Sequence, residues 1–536
     1  MARLKRIQIE GYRSINEPIV VDFPPNQPAI LIGENNTGKT NITRAIDLLF
    51  GEFHPRYKSL EDHDHYGRNA KRLIDIQANV SGYQGRLGRS GEFNCVGFHF
   101  SCIEGEGNDF VAIQGDDEEN NYVSNELRNE LTSIVVNAES NLAYQLSYAS
   151  KFTLLSKVTK AFHNKLSEDE EKVKRLKDLF SQIKDTFLEV PEFSDFRNNM
   201  SSIAGEVIAN MAYGLELDFT AYDPSNYFKA LGVNPTENGE ARNFEELGTG
   251  QQQILALSFA QAYSRSFLGD LILIIDEPEA HLHHLAQKWL ARTMFQMAKD
   301  GLQIVLTTHS AHFINLEFLE GVKLIRKVEN ETEVVSKTKS NLYDHCIATN
   351  ADKIRTQRET IIPFYANHST SRILNGFFAN KIVLVEGPTE ELALPIYLEK
   401  VSLDTLKEGI EVINVAGKGN LAKWWRLFTL YDIPTFVCFD NDSRKDGNGN
   451  KRKDALKAIE IPEGEIDELL TEEHWNINDN FCVFGEDFEA TMRASFKEYE
   501  AIETEAKERL GDSKHIVARE VAHELEVNND EGWEWF

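Results

Sequence analysis

Apolar and polar residues alternate from Leu4 to Ile9 and again from Ile19 to Phe23, the period-two pattern of paired, half-buried strands. Ala29-Ile30-Leu31-Ile32 then runs apolar without interruption, as a strand covered on both faces does. The period changes at once to that of a helix, for Ile42, Ala45, Ile46 and Leu49 fall on one face of the stretch from Lys39 to Phe50. Parallel-sheet patterning resumes at Leu271–Ile275 and Gln303–Leu306 with a helix between them. A second strand–turn–helix series starts at Lys381–Val385 and continues with Pro434–Phe439. Between the two series, about 137–210 is helical and strongly charged, with Val173, Leu176, Leu179, Phe180 and Ile183 at helical steps. We expect an α/β chain in units 1–345, 346–377 (connecting) and 378–536, the first carrying the helical stretch as an insertion. That insertion buries its apolar stripe against its own neighbours or against a second subunit.

The first strand and helix frame Gly33-Glu34-Asn35-Asn36-Thr37-Gly38-Lys39-Thr40, which fits G-x-x-x-x-G-K-[ST] in the strand-to-helix context that this motif requires. Its glycines let backbone N–H groups close on phosphates at a helix N-terminus. Gly33, Asn35, Asn36, Gly38, Lys39, Thr40 and Asn41 are therefore candidate ATP ligands, with Thr40 also on Mg²⁺. Asp276 ends the apolar strand from Leu271, where it would join Thr40 on the metal, and Glu277 would orient or activate the attacking water. His309, just past the next strand in Thr308-His309-Ser310, would sense the γ-phosphate or polarise the water. Leu247-Gly248-Thr249-Gly250-Gln251 leaves Gly248 and Gly250 able to approach an anion. Together these segments resemble an ABC-type ATPase head of the RecF/SMC kind, in which the signature segment of one subunit caps the ATP of another.

Composition changes this picture little. A chain of 536 residues with 41% hydrophobic content supports roughly two to four domains. No apolar run nears the roughly 18 residues of a membrane span, and the start of the chain opens directly into a strand, so a cytoplasmic protein without a membrane partner is expected. The five cysteines contain no C-x-x-C pair and read as core thiols. A formal charge of −29 neither supports nor excludes a nucleic-acid partner, because phosphates are held by local patches; Arg444, Lys445, Lys451, Arg452 and Lys453 crowd what reads as a loop. Asp62-His63-Asp64-His65 reads as a turn rather than a metal site.

The second series carries carboxylates at strand ends. Glu386 follows Val385, Gly387-Pro388 turns the chain, and Glu390 falls in the first helical turn; Asp440-Asn441-Asp442 ends the strand from Thr435 with both aspartates on one side. A Glu after one strand and D-x-D after a later one match the Toprim pattern, and Lys418 occupies a loop that this domain often shows. With the ATPase ahead of it, the chain resembles an overcoming-lysogenization-defect nuclease, the family that includes the nuclease subunit of the Gabija anti-phage system. The resemblance implies an ABC-type ATPase head followed by a Toprim domain. It also adds Glu489 as a metal ligand and Lys514 as a group stabilising charge on the scissile phosphate.

The expected activity is an ATP-regulated, metal-dependent DNA endonuclease or nickase with Glu386, Asp440 and Asp442 on one Mg²⁺ and Glu390 and Glu489 near a second, Mn²⁺ substituting. Expected partners are DNA, a second copy in a dimer or larger even assembly, and a helicase-like protein encoded nearby. The competing reading is an SMC/RecF-like, ATP-dependent DNA clamp whose Toprim domain does not cut. Topoisomerase needs a tyrosine-bearing domain for which little chain remains, and primase needs a zinc module that the cysteines do not supply.

Overall fold

The computed structural model describes residues 2–83, 94–115, 119–137, 166–192, 270–280, 282–353, 356–442, 449–470 and 476–526, with scattered positions between 153 and 262. The N-terminal part is two facing sheets. One is antiparallel, in the order β2-β1-β4-β5-β6-β7: β1 (Arg3–Glu10), β2 (Ile19–Asp22), β4 (Ile74–Ser81), β5 (Cys95–Ile103), β6 (Gly107–Gln114) and β7 (Glu119–Tyr122). The other, ordered β14-β13-β3-β12-β11-β8, comprises β3 (Ala29–Ile32), β8 (Thr132–Asn137), β11 (Leu271–Asp276), β12 (Gln303–Thr308), β13 (Val322–Val328) and β14 (Glu331–Ser336). All its pairings are parallel except that of β13 with β14. A short hairpin, β9 (Thr236–Glu237) and β10 (Glu240–Ala241), stands apart.

Helix α1 (Lys39–Phe50) is buried between these sheets, and Ile42, Ala45, Ile46 and Leu49 share a cluster with Ile7 and Phe98 of the first and Leu31 and Ile274 of the second. In the helical segment, α2 (Glu170–Leu188) is a continuous charged helix; Val173 and Leu176 are half-buried and Leu179 is exposed, while the side chains of Phe180 and Ile183 lie outside the described residues. Helix α3 (His284–Lys299) crosses from β11 to β12, and α4 (Lys339–Ala348) and α5 (Arg358–His368) lead to the third sheet.

That third sheet runs β16-β15-β17-β19-β18, from β15 (Lys381–Val385), β16 (Ile410–Asn414), β17 (Thr435–Asp440), β18 (Asn476–Ile477) and β19 (Phe481–Phe484), parallel except at β18. Helices α6 (Pro388–Lys400), α7 (Leu421–Leu430), α8 (Asn450–Ala458), α9 (Phe488–Ser495), α10 (Tyr499–Leu510) and α11 (Lys514–Glu524) cover it. One apolar cluster is continuous from the second sheet to the third: Leu273, Met294, Tyr365, Phe377, Leu384, Trp424 and Phe439 all belong to it. The five cysteines are free and buried, as expected. Among the described residues no helix is long and apolar enough to cross a membrane.

Candidate active sites

β3, β12 and β11 are adjacent and parallel, so the segments that follow them meet at one edge. The phosphate loop leaves β3. Gly33 (φ 145°) and Gly38 (φ 109°) occupy backbone conformations that side chains resist, and a Cβ on Gly33 would lie 2.1 Å from the Ile325 carbonyl oxygen. Thr332 Oγ1 donates to the Thr37 carbonyl at 2.9 Å and meets Ser14, whose hydroxyl accepts from Asn41 Nδ2 at 2.8 Å. The β13–β14 hairpin thus braces the loop from outside. Lys39 Nζ donates to the carbonyls of Gly33 (3.0 Å) and Glu34 (2.7 Å), and burial lowers its pKa to about 8 against the raising influence of Glu277, Asp276 and Glu279.

On the facing strands, Thr307 Oγ1 donates to Asp276 and accepts from the Glu277 N–H. Glu277 has φ 49°, a left-handed conformation costly for a residue with a Cβ and characteristic of functional turns. His309 Nε2 lies 3.8 Å from Glu277 Oε1, too far for a hydrogen bond, and is otherwise a buried nitrogen without a partner. Burial, then Lys39, lowers the His309 pKa, so the ring is neutral and able to accept or donate one proton. Glu279 carries no signal of its own in the sequence. It holds the His309 loop through the Thr308 hydroxyl (2.9 Å) and the His309 N–H (2.5 Å). Gly248 and Gly250 are placed on a separate segment, where the hydrogen bonds of Gly248 stay local; Thr249 lies outside the described residues.

The second site is built at the ends of β16, β15, β17 and β19, four strands adjacent in that order. One carboxylate oxygen from each of Glu386, Asp440 and Asp442 falls within 4.8 Å of the others. Lys418 enters from the β16 side: its Nζ lies 3.2 Å from Asp442 Oδ2 and 3.4 Å from Glu386 Oε2, with the side chain 5% exposed. The Glu386 approach does not make a hydrogen bond, and Glu386 Oε2 is left a buried acceptor without one. Asp440 Oδ1 accepts from the Phe488 N–H at 2.9 Å, and Glu390 caps its own helix by accepting from the Gly387 N–H at 3.0 Å. Glu489 on α9 accepts from Lys514 Nζ at 2.7 Å through Oε2, while its Oε1 is another buried acceptor without a partner.

Burial, reinforced by Glu390, Glu386 and Asp442, pushes the Asp440 carboxyl up to about 9; burial, reinforced by Glu489 and Glu386, pushes Glu390 up to about 7. Glu386, Glu390, Asp440, Asp442 and Glu489 share this neighbourhood with Lys418 and Lys514, and Asp487 Oδ2 lies 3.8 Å from Lys514 Nζ. Buried oxygen donors left unsatisfied, all of them hard, fit one or two divalent cations.

One sequence expectation changes. Lys451, Arg452 and Lys453 belong to helix α8 rather than a loop: Arg452 is buried on Asn441 Oδ1, and Lys453 pairs with Asp467 at 2.7 Å. Arg444 and Lys445 lie outside the described residues. Asp62–Asp64 forms a 3-10 turn in which Asp64 pairs with Arg13 at 2.6 Å and His65 Nδ1 meets the Arg72 carbonyl, so its chemistry is structural, as expected.

Comparison with known proteins finds a known domain over each of these regions. The family model "AAA ATPase domain" matches residues 3–177 and 69–314, over half the chain, and the model "Overcoming lysogenization defect protein-like, TOPRIM domain" matches 377–442. The chain is 26% identical over 461 residues to the OLD nuclease of Thermus scotoductus, 82% of each chain being covered. Endonuclease GajA of Bacillus cereus is 26% identical over 34% of this chain and 27% of its own length; the Old nuclease of Escherichia phage P2 is 24% identical over 43% and 38%. An ATPase and a Toprim domain imply use of a nucleotide and a divalent metal. The chain belongs to the AAA ATPase domain family, and it carries an overcoming-lysogenization-defect-like Toprim domain on the same polypeptide.

Proposed function

We propose that this protein is an ATP-regulated, metal-dependent DNA endonuclease or nickase, acting in the cytoplasm in defence against phage or plasmid DNA. The observation that carries the reading is the convergence of Glu386, Asp440 and Asp442 at the ends of neighbouring strands, with buried oxygens that lack partners. The nuclease names of its relatives support it. In this reading residues 1–345 form the ATPase, 346–377 connect, and 378–536 form the nuclease.

Glu386, Asp440 and Asp442 would hold one Mg²⁺ or Mn²⁺, and Glu390 with Glu489 a second. When bound, such ions supply Lewis acidity, acidifying water and neutralising charge on phosphate oxygens. The chain's own contribution is fixed charge: Lys514 reaches the site beside Glu489, where a cation stabilises the negative charge that grows on a phosphate during cleavage. Lys418, held between Glu386 and Asp442, positions both carboxylates. In the ATPase, Lys39, now on two carbonyls, would turn to phosphate oxygens, Asp276 and Thr40 would hold Mg²⁺, Glu277 would orient water, and His309 would stand ready beside it. A dimer or larger even assembly and a neighbouring helicase-like partner complete the proposal.

The test is purified protein incubated with supercoiled and linear DNA, Mg²⁺ or Mn²⁺, and a range of ATP concentrations. Metal-dependent nicking that changes with ATP is expected. ATP-dependent DNA binding with no cutting under any condition would replace the nuclease by a clamp.

A further inference from the structure

Helix α3 carries its cations on one side. At about 100° per residue, Lys288, Arg292 and Lys299 fall within an arc of about 40°, and Trp289 lies about 60° beyond. Lys288 and Arg292 have no ion-pair partner among the described residues, and Lys299 has a loose one, Glu317 at 3.6 Å. Lys288 and Arg292 thus bring positive charge without an acidic partner, set in a chain of net charge −29, while Glu317 offsets that of Lys299. Trp289 is 50% exposed and Leu285 60%, so apolar surface accompanies the charge without burying itself.

The same three cations line a cavity of about 490 Å³, whose other walls include His312, Phe318 and Ser371. The cavity lies on the seam between the two sites. His312 Nδ1 meets Ser371 Oγ at 3.1 Å, three residues beyond His309; the next residue, Arg372, pairs with Glu391 Oε2 at 2.9 Å, beside Glu390.

We propose that this face of α3 and its cavity hold the phosphate backbone of a nucleic acid, the strand led to or from the carboxylate site. Charge complementarity names the occupant: Lys288 and Arg292, one helical turn apart, and Lys299, about two turns further on, set positive charge along one face for backbone phosphates, and a half-exposed indole beside them offers a stacking surface to a base. The Lys299 ammonium itself stands 5.0 Å from the centre of the Phe318 ring, a cation–π contact that fixes where this charge sits on the cavity wall. The inference rests on the nuclease reading for the direction of the strand, but not for its binding.

The experiment measures anisotropy of labelled single-stranded and duplex DNA on full-length Asp440→Ala protein, which removes cutting from the readout, across a salt series. Adding Lys288→Glu with Arg292→Glu should weaken binding at least tenfold near 0.1 M salt and reduce the slope of log affinity against log salt by about two, one for each phosphate that is no longer neutralised. Retained ATP turnover shows that the variant is folded. A matched charge reversal on the exposed turn before β4, Arg68→Glu with Lys71→Glu, should change neither. Trp289→Ala should weaken single strands more than duplex. The proposal is overturned if the α3 variant binds as tightly as its parent, if the matched pair loses as much affinity, or if only inorganic phosphate or free nucleotide binding is lost. Wild-type protein that binds DNA through α3 yet never cuts would remove the nuclease reading and leave this surface standing.

Discussion

The two candidate sites share a plan and differ in the sign of what they lack. Each stands at the C-terminal ends of adjacent parallel strands, and each sets a buried lysine near carboxylates. In the first, burial works against the cation and Lys39 falls to about 8. In the second it works against surplus anions, and Asp440 rises to about 9. A pocket whose lysine is held only by carbonyls is completed by an anion such as a phosphate; one crowded with carboxylates is completed by a cation. The same low-dielectric strand ends serve opposite ligands according to which charge is in excess.

The largest expected effect separates the sites outright. Asp440→Ala should lower DNA cutting about 10³-fold, the upper scale for losing one preorganised electrostatic group, while ATP turnover stays within about twofold. A parallel loss of both activities, followed on one preparation by gel and phosphate-release assays, would break the division. The mirror experiment comes next: Lys39→Ala should reduce ATP turnover about 10²-fold and weaken nucleotide binding, whereas Glu277→Gln should bind ATP normally by calorimetry and hydrolyse it slowly. Equal loss of binding in both would remove Glu277 as the group that orients water.

Protonation sharpens the contrast further. The metal-free Asp440 carboxyl is raised from 3.8 to about 9 and Glu390 from 4.5 to about 7, so in those windows the folded state binds more protons than the unfolded one. Their contribution to stability is therefore full below the unfolded values and is lost as pH rises through the folded ones. Metal binding must expel these protons. Mg²⁺ or Mn²⁺ should accordingly raise Tm more at about pH 8.5 than at about pH 6, with protons released on titration, and Asp440→Asn should flatten that difference. The smallest effect concerns the brace on the phosphate loop: Thr332→Ala removes bonds to Thr37 and Ser14 and should cost about 1 kcal/mol in denaturant unfolding, with a modest rise in KM for ATP.

What the sequence shows and what it conceals follow the distance along the chain over which each feature is made. The phosphate loop, Asp276-Glu277, Glu386 and Asp440-Asn441-Asp442 are legible because an apolar run and the polar residues that end it are contiguous. The α1 face is legible for the same reason, its period being written in twelve residues. Strand β8 is not, because its partner β11 lies across the helical segment, distant in sequence. The Ser14–Thr332 brace spans 318 positions and has no local pattern at all. Lys418 stands out in the sequence only as part of a loop; that its ammonium lies between two of the carboxylates depends on β16 being the neighbour of β15, which spacing does not disclose. Glu279 stands in plain view beside Glu277, but its grip on the His309 loop is a contact between strands.

The apolar cluster that runs from the second sheet into the third has a consequence for modularity. A junction made of side chains such as Tyr365, Phe377, Trp424 and Phe428, all fully or nearly fully buried, is not a hinge on which one half swings freely. Cutting the chain between Tyr365 and Phe377 would part Tyr365 from Trp424, its ring neighbour at 5.3 Å, and leave rings facing water on both fragments, so neither part should behave as a free-standing unit, and grafting either onto a foreign partner would require rebuilding the seam. The two chemistries have been welded, so any signal between them has to travel as a tilt of a rigid body or as a change in how copies of that body meet.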